Sequence, residues 1–173
     1  AAVAADAQAN MEKEAKAKED FKSSKEKAEI AEDELKVALK QEIGQGLVTV
    51  ETKEDKVIVT VGAGGAFPSG TADLTPAAKK IMENIANVKA KGKSNIKVTG
   101  HTDNVPLVFG SQYRDNWDLA AARAASVVQN LENNKISPDR LIATSKGETQ
   151  PVESNTTSSG RAKNRRIEIE INY

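Results

Sequence analysis

The chain of 173 residues contains no cysteine, so it can form no disulfide, no thiolate metal site and no cysteine nucleophile. Aromatic residues are scarce, with one Trp, two Tyr and three Phe, which argues against a platform for stacking the bases of single-stranded nucleic acid. Its 25 basic residues balance its 25 acidic ones, so no overall field attracts nucleic acid or an anionic membrane. We therefore expect no nucleic-acid partner.

Long apolar runs are also missing, and none approaches the ~20 residues that a helix needs to cross a bilayer. No signal peptide, with its charged and then apolar segments, is visible either. The chain opens with AAVAADAQAN and lacks an initiator Met. We therefore expect a fragment of a longer protein, in which any membrane segment would lie upstream.

The only histidine, His101, offers little catalytic or metal chemistry. It has no second histidine and no cysteine to share a metal ion, and Asp103 alone does not complete a zinc site. A catalytic triad would need a nucleophile held by the histidine, and no nucleophile-elbow motif occurs. We expect no enzyme activity, no metal and no cofactor, and we expect His101 to hydrogen-bond within the turn after its strand.

Residues 1–43 contain no proline or glycine and are rich in Ala, Lys and Glu, a composition that favours helix. Phe21, Ala28 and Leu35 follow one another at steps of seven residues. This thin apolar stripe predicts one long helix whose second half packs and whose first half is solvated. The glycines of the stretch IGQGL then end the helix.

The rest of the chain, residues 44–173, alternates strand and helix patterns and forms the predicted domain. We predict strands in 47–50, 57–61, 96–99, 141–145 and 167–171, and helices over 76–88 and 118–131, with loops at GAGG (62–65) and at 149–160. GAGG lacks the ending of a phosphate-binding loop, so we interpret it as a flexible connection. Strands alternating with helices on one face of the sheet predict an α/β two-layer sandwich.

Asp103 follows the third strand, and open α/β sheets commonly bind ligands where strands end. Arg123 lies early in the next helix, at the boundary of its apolar stripe. A guanidinium takes a carboxylate by two parallel hydrogen bonds and an aspartate takes an ammonium, so the two residues suit a zwitterionic ligand. The spacing alone favours the alternative, in which Asp103 and Arg123 pair with each other and pin the loop to the helix.

The stretch GRAKNRR, residues 160–166, places four basic residues within seven positions. One interpretation is the rim of an anion site, with Arg165 or Arg166 reaching the same pocket as Asp103. The other is a solvated segment that leads into the last strand. The sequence leaves both open.

Several motifs together resemble a known family. The segments VTGHTDNVP, NWDLAAARAASVVQNL, SPDRLIATSKGETQPV and GRAKNRRIEI occur in an order similar to that of the OmpA-like peptidoglycan-binding domain, from about Phe67 to Ile171. The stretches DNVPL and FPSGTADL resemble the periplasmic portion of flagellar stator B subunits, the MotB and PomB proteins, with the PomB type closer. The resemblance implies an OmpA-like sandwich with a mixed sheet, preceded by the long helix.

The resemblance also implies non-catalytic binding of the peptide stem of the cell wall, with diaminopimelate as the main contact, and it favours a ligand clamp over an internal pair. The residues that it places in the site are Thr102, Asp103, Asn116, Arg123, Asn164, Arg165 and Arg166. One departure is Pro106, which stands where many members of the family have glycine. A different loop should therefore shape the mouth of the pocket.

At the level of the whole protein, the resemblance implies a cell-wall anchor for the stator of the flagellar motor. The domain would be periplasmic and would belong to an inner-membrane protein. Its upstream membrane segment would join a stator A subunit, and two copies would form a homodimer. The helical region would act as an adjustable linker. The alternative is a general OmpA-like envelope protein that links a membrane to peptidoglycan without a motor role.

Overall fold

A computed structural model describes residues 2–173 of the chain. The helices are α1 (Ala2–Ala38), α2 (Lys40–Gly44), α3 (Ala63–Ala66), α4 (Pro76–Lys89), α5 (Asn116–Asn133) and α6 (Ser158–Asn164), with one 3₁₀ turn at Pro138–Arg140. The strands are β1 (Val48–Lys53), β2 (Lys56–Gly62), β3 (Asn95–His101), β4 (Leu141–Gly147) and β5 (Arg166–Asn172). All five predicted strands and both predicted core helices are present.

The five strands form one mixed sheet in the order β1-β2-β5-β3-β4. Only β3 and β4 run parallel, and the other neighbours are antiparallel. Along β5, Ile167, Ile169 and Ile171 are buried, while Glu168 and Glu170 lie on the opposite face and are half-buried. The period of two therefore gives the sheet one apolar face and one polar face, as the sequence predicts.

Helices cover the apolar face, and their termini follow local signals. The Thr75 hydroxyl accepts a hydrogen bond from the Ala78 amide at 3.2 Å, and Pro76 takes the first position of α4. Helix α5 begins two residues before the predicted position, because the Asp115 carboxylate caps it by accepting from the Asp118 amide at 2.9 Å. The predicted two-layer sandwich with helices on one face is confirmed.

Helix α1 behaves differently along its length. Ala28, Ala31 and Leu35 are buried against the domain, whereas residues 2–27 are exposed except for the half-buried Ser24. The expectation of a packed second half and a solvated first half is thus confirmed, although Phe21 is exposed and takes no part in the packed stripe. No helix within residues 2–173 is long and apolar enough to span a membrane.

Leu35→Ala is expected to lower the free energy of unfolding by about 2–5 kcal/mol, because it opens a cavity where α1 meets the core. Leu35 is completely buried. Val37→Ala is the matched control, since the Val37 side chain is exposed on the same helix and its loss should cost little. Urea unfolding of both variants measures the difference. Equal stability of the two variants would show that α1 does not dock on the domain.

One predicted loop is wrong, and another ends earlier than predicted. GAGG forms part of the short helix α3, in which Ala63 and Ala66 are buried against the core. Within 149–160 the helix α6 begins at Ser158, after Thr157 caps it by accepting from the Gly160 amide at 3.0 Å. Both helices are too short for a helical period to show in the sequence, and packing decides their conformation.

Candidate functional site

A cavity of about 420 Å³ lies where β3 leaves the sheet, between α3, the N-terminal half of α5 and the residue that joins α6 to β5. Its polar lining residues include Thr102, Asp103, Asn116, Arg123 and Arg165. These are five of the seven residues that the family resemblance places in the site. The structure therefore brings them together, and their role in binding stays a prediction.

The Asp103 carboxylate occupies one side of the cavity and is nearly buried. Its Oδ2 accepts a hydrogen bond from Arg165 Nη1 at 2.5 Å, and its Oδ1 accepts from the Val105 amide at 3.0 Å. Asp103 is thus paired with Arg165, which lies 62 positions later in the chain. The alternative internal pair, Asp103 with Arg123, is not formed.

Thr102 and Asn116 hold the loop that carries Asp103. The Thr102 amide donates to the Gly147 carbonyl oxygen at 2.8 Å, which ties the loop to β4. Asn116 Nδ2 donates to the Val105 carbonyl at 3.0 Å and more weakly to the Asp103 carbonyl at 3.3 Å. Because Asn116 begins α5, this contact fixes the loop against the helix that bears Arg123.

Arg123 extends from α5 into the cavity and is 5% exposed. Its Nε donates to the Thr71 carbonyl oxygen at 2.8 Å, and its guanidinium carbon lies 4.9 Å from the centroid of the Phe67 ring. Burial lowers the pKa of the Arg123 guanidinium, as does the charge of Arg165, against the opposing effects of Tyr113 and Asp103. A guanidinium desolvated without a carboxylate partner is a strong receptor for an anion.

Asn164 is placed elsewhere, which corrects the expectation that it contacts the ligand. Its side chain is completely buried. Its Oδ1 accepts from the amides of Val152 and Glu153 at 2.8 and 3.0 Å, and its Nδ2 donates to the Glu153 carbonyl and to Asn155 Oδ1. All of its hydrogen-bonding capacity is used to fold the segment before α6, so Asn164 positions Arg165 indirectly.

Arg166 and His101 also differ from expectation, because both point to the polar face of the sheet. Arg166 Nε donates to Glu168 Oε1 at 2.9 Å, and its other nitrogens donate to the carbonyls of Asn164 and Gln150. His101 is the last residue of β3 and contacts Glu168 Oε2 through Nε2 at 3.2 Å, instead of bonding within a turn. Alternation along β5 sends Arg166 away from the cavity that Arg165 lines.

Glu168→Gln should remove a pH dependence of stability. The hydrogen bonds from His101 and Arg166 lower the pKa of Glu168 from 4.5 to about 2, against the opposing effect of burial. Because the pKa is depressed in the folded state, this stabilisation is present above pH about 4.5 and is lost as pH falls towards about 2. Urea unfolding at several pH values across that interval measures the effect. As pH falls, the free energy of unfolding should decrease less for the variant than for the wild type. The control is Glu51→Gln, at an exposed position of β1, whose free energy of unfolding should decrease with pH as that of the wild type does. If Glu168→Gln showed the same decrease as the wild type, Glu168 would not be the source of this pH dependence.

Several residues of the cavity were not predicted from the sequence. Phe67 supports the Arg123 guanidinium, and Thr71 accepts its Nε–H. The loop at Pro106, by contrast, was expected at the mouth of the pocket, and residues 105–108 form one apolar wall of the cavity. The only sequence signal for Phe67 is that a large aromatic follows a glycine-rich stretch. Within residues 2–173 no three histidine or acidic side chains lie close enough to hold a metal ion.

The chain is similar to several known proteins. The OmpA family matches residues 66–165 of the chain. Motility protein B of Bacillus subtilis strain 168 is 35% identical over 126 residues, which cover 70% of this chain and 48% of that protein. The chain thus spans about half the length of this relative.

Two solved structures share the fold over most of the chain. A MotB-like protein of Desulfovibrio vulgaris superposes with a TM-score of 0.81 at 25% identity, covering 88% of this chain and 94% of the other. The cell wall anchor of the type VI secretion system of Pseudomonas aeruginosa gives a TM-score of 0.72 at 32% identity, covering 80% and 96%. The long N-terminal helix and the mixed sheet therefore belong to a known architecture.

Proposed function

The chain belongs to the OmpA family, and from that premise we propose that its cavity binds the peptide stem of peptidoglycan without catalysis. The single observation that carries the proposal is Arg123, a nearly buried guanidinium that lines the cavity beside the Asp103–Arg165 pair without an acidic partner of its own. Diaminopimelate, which carries an ammonium and a carboxylate close together, matches this arrangement in charge. The contact residues in the proposal are Thr102, Asp103, Asn116, Arg123 and Arg165.

The proposed biological role is to anchor a flagellar stator to the cell wall. Similarity to Motility protein B and to a MotB-like structure supports this role. In the proposal the domain is periplasmic, a membrane segment outside this chain joins a stator A subunit, and the protein is a homodimer. Because several anchors share the load, modest affinity of each domain is sufficient. The PomB type within the stator family stays a prediction.

Helix α1 is the proposed adjustable linker between membrane and wall. Residues 2–27 are exposed except for the half-buried Ser24, and the buried positions of α1 begin at Ala28. A helix rises about 1.5 Å per residue, so this exposed part alone would span about 40 Å. Such a segment would let the domain extend from the membrane towards the wall without any change in the structure of the domain itself.

The experiment for wall binding is sedimentation of the chain with purified sacculi. Sacculi that contain diaminopimelate should carry the chain into the pellet, whereas sacculi with lysine at that position should carry much less, because lysine lacks the second carboxylate. Equal sedimentation with both kinds of sacculi contradicts the proposal, and so does the absence of sedimentation with either kind. Incubation with labelled sacculi should release no fragments, and release would overturn the non-catalytic assignment.

A second candidate role, wall anchoring outside a motor, is favoured by the similarity to the type VI secretion anchor. Purification of the full-length protein from membranes separates the two roles. Co-purification with a stator A subunit supports the motor role, and purification without one supports the second role. Wall binding by the domain is common to both.

A further inference from the structure

The polar face of the sheet carries a second concave surface, of about 420 Å³, which the proposed function does not use. Four of its lining residues are lysines, and each comes from a different strand: Lys53 on β1, Lys56 on β2, Lys97 on β3 and Lys146 on β4. We call this surface the lysine groove. It lies on the face opposite to the helices α4 and α5, so it is separate from the cavity that holds Arg123.

Two glutamates of β5 also line the lysine groove, and the protein itself already neutralises both. Glu168 accepts a hydrogen bond from Arg166 Nε at 2.9 Å. Glu170 lies between two lysines, since Lys56 Nζ is 3.4 Å from its Oε1 and Lys97 Nζ is 3.4 Å from its Oε2. These carboxylates therefore do not repel an anionic ligand as free acids would.

The charge that is left over in the lysine groove is positive. Lys53 and Lys146 are exposed on the two edge strands, and neither forms an ion pair with an acidic side chain among residues 2–173. Glu54, the third glutamate of the lining, is exposed in the turn between β1 and β2. An ammonium has three N–H donors, so each lysine beside Glu170 can keep its ion pair and still donate to a ligand.

The lysines are too far apart to share one small anion. Lys56 lies level with Asn95, the first residue of β3, whereas Lys146 follows the residue that pairs with Gly100 near the end of that strand. With about 3.3 Å per residue along a strand and about 4.8 Å between strands, the two lysine backbones are roughly 20–25 Å apart. A ligand that uses the whole groove must therefore be a linear polymer with repeated charges.

The donors of the lysine groove suit phosphate better than carboxylate. An ammonium acts as a point charge, whereas the planar fork of arginine is what matches a carboxylate. The Arg166 fork is already used, because its three nitrogens donate to Glu168 and to the carbonyls of Asn164 and Gln150. No Phe, Tyr or Trp of residues 2–173 lines the groove, so it offers no surface on which nucleic-acid bases could stack.

From these features we infer that the lysine groove binds a flexible phosphodiester polymer without bases, such as a poly(glycerol phosphate) of the cell envelope. The inference goes beyond the proposed function, because it adds a second contact with the envelope on the opposite face of the sheet. An anionic membrane fits less well, since a concave surface admits a chain more readily than a flat bilayer.

The experiment is fluorescence anisotropy of labelled poly(glycerol phosphate) of about 20 repeats, titrated with the 173-residue chain. We expect a Kd of about 1–100 µM at about 0.15 M salt, and a weakening of about tenfold to a hundredfold when the salt concentration is raised about fourfold. Monomeric glycerol phosphate, at the same concentration of phosphate, should compete about a hundredfold more weakly than the unlabelled polymer. Equal competition by the monomer would overturn the assignment of a polymer.

The double variant Lys53→Gln, Lys146→Gln tests whether the lysine groove is the site. Its Kd should rise about tenfold, and the slope of log K against log salt should become shallower by about 1 to 2, as expected for the loss of two phosphate contacts. The control is Lys79→Gln, Lys163→Gln, which changes the net charge equally at exposed positions of α4 and α6 and should bind as the wild type does. Equal weakening of both variants would mean that overall charge decides binding, which overturns the inference.

The remaining outcomes separate this inference from other partners and from the proposed function. Absence of binding to the polymer overturns it. Tighter binding to a single-stranded oligonucleotide with as many phosphates, or to phosphatidylglycerol vesicles, also overturns it and assigns the groove to that partner. Sacculi stripped of phosphodiester polymers report on the cavity alone, and Lys53→Gln, Lys146→Gln should sediment with them as the wild type does. A loss there would mean that these lysines belong to the peptide-binding site and not to a separate one.

Discussion

Arg123→Met is expected to weaken sedimentation with diaminopimelate-containing sacculi about tenfold to a hundredfold, without lowering the free energy of unfolding. The binding loss follows because Arg123 is the one guanidinium in the cavity whose terminal nitrogens are unused. Methionine keeps most of the side-chain volume and its contact with Phe67, but it offers no donor to a carboxylate.

Stability should not fall, because burial of the guanidinium is unfavourable in the free protein. Burial lowers the pKa of Arg123, which means that the folded environment disfavours its charged form. Replacing a poorly paired buried charge by an apolar side chain is often neutral or stabilising. The Thr71 carbonyl that loses its donor lies in a half-exposed loop and can bind water instead.

The control for this prediction is Arg114→Met. Arg114 lies on the loop before α5 and its side chain is 88% exposed, so its contact with Asp118 contributes little. We expect it to sediment as the wild type does. Sedimentation of Arg123→Met equal to that of Arg114→Met would mean that the cavity is not the wall-binding site.

Gly100→Ala is expected to lower the free energy of unfolding by about 3 kcal/mol and to impair wall binding as well. A Cβ at Gly100 would lie 2.2 Å from the Ala120 carbonyl oxygen and 2.8 Å from its carbonyl carbon. Both atoms belong to the backbone of α5, so no side chain can rotate away, and the helix itself must move off the sheet.

The effect on binding follows from where Gly100 lies. It directly precedes the residues that lead into the Asp103 loop, and the helix that it contacts carries Asn116 and Arg123. A displaced α5 would therefore separate Arg123 from the Asp103–Arg165 pair. Thermal unfolding and sacculus sedimentation measure the two effects.

Gly44→Ala is the matched control, because no atom lies within 4 Å of a Cβ at that position. Its stability should stay within about 0.5 kcal/mol of the wild type. If Gly100→Ala were as stable as Gly44→Ala, the close approach between β3 and α5 would not be a requirement of the fold.

Much of the architecture was predictable because it depends on local or periodic signals. The alternation of Ile167, Ile169 and Ile171 indicates a strand with one buried face, and the buried face is where the structure places them. Thr75 and Pro76 mark the start of α4 by capping and by a fixed backbone angle. Such signals act over a few residues and need no knowledge of the tertiary structure.

Other features required the tertiary structure, because they depend on which distant residues meet. Arg165 and Arg166 are neighbours of the same charge, yet one lines the cavity and the other joins Glu168 on the opposite face. Asn164 has a polar side chain of the kind that contacts ligands, but it is completely buried. Nothing in the local sequence distinguishes these three environments.

By itself, the sequence determined the class of fold, the long helix, the family resemblance and the set of polar residues around the end of β3. It determined these because periodicity, capping residues and motif order are properties of short stretches of chain. Only the tertiary structure decided that Asp103 pairs with Arg165, leaving Arg123 without an acid. That outcome depends on β5 lying next to β3, which brings together residues 62 positions apart, and contact across such a distance is decided by packing of the whole core.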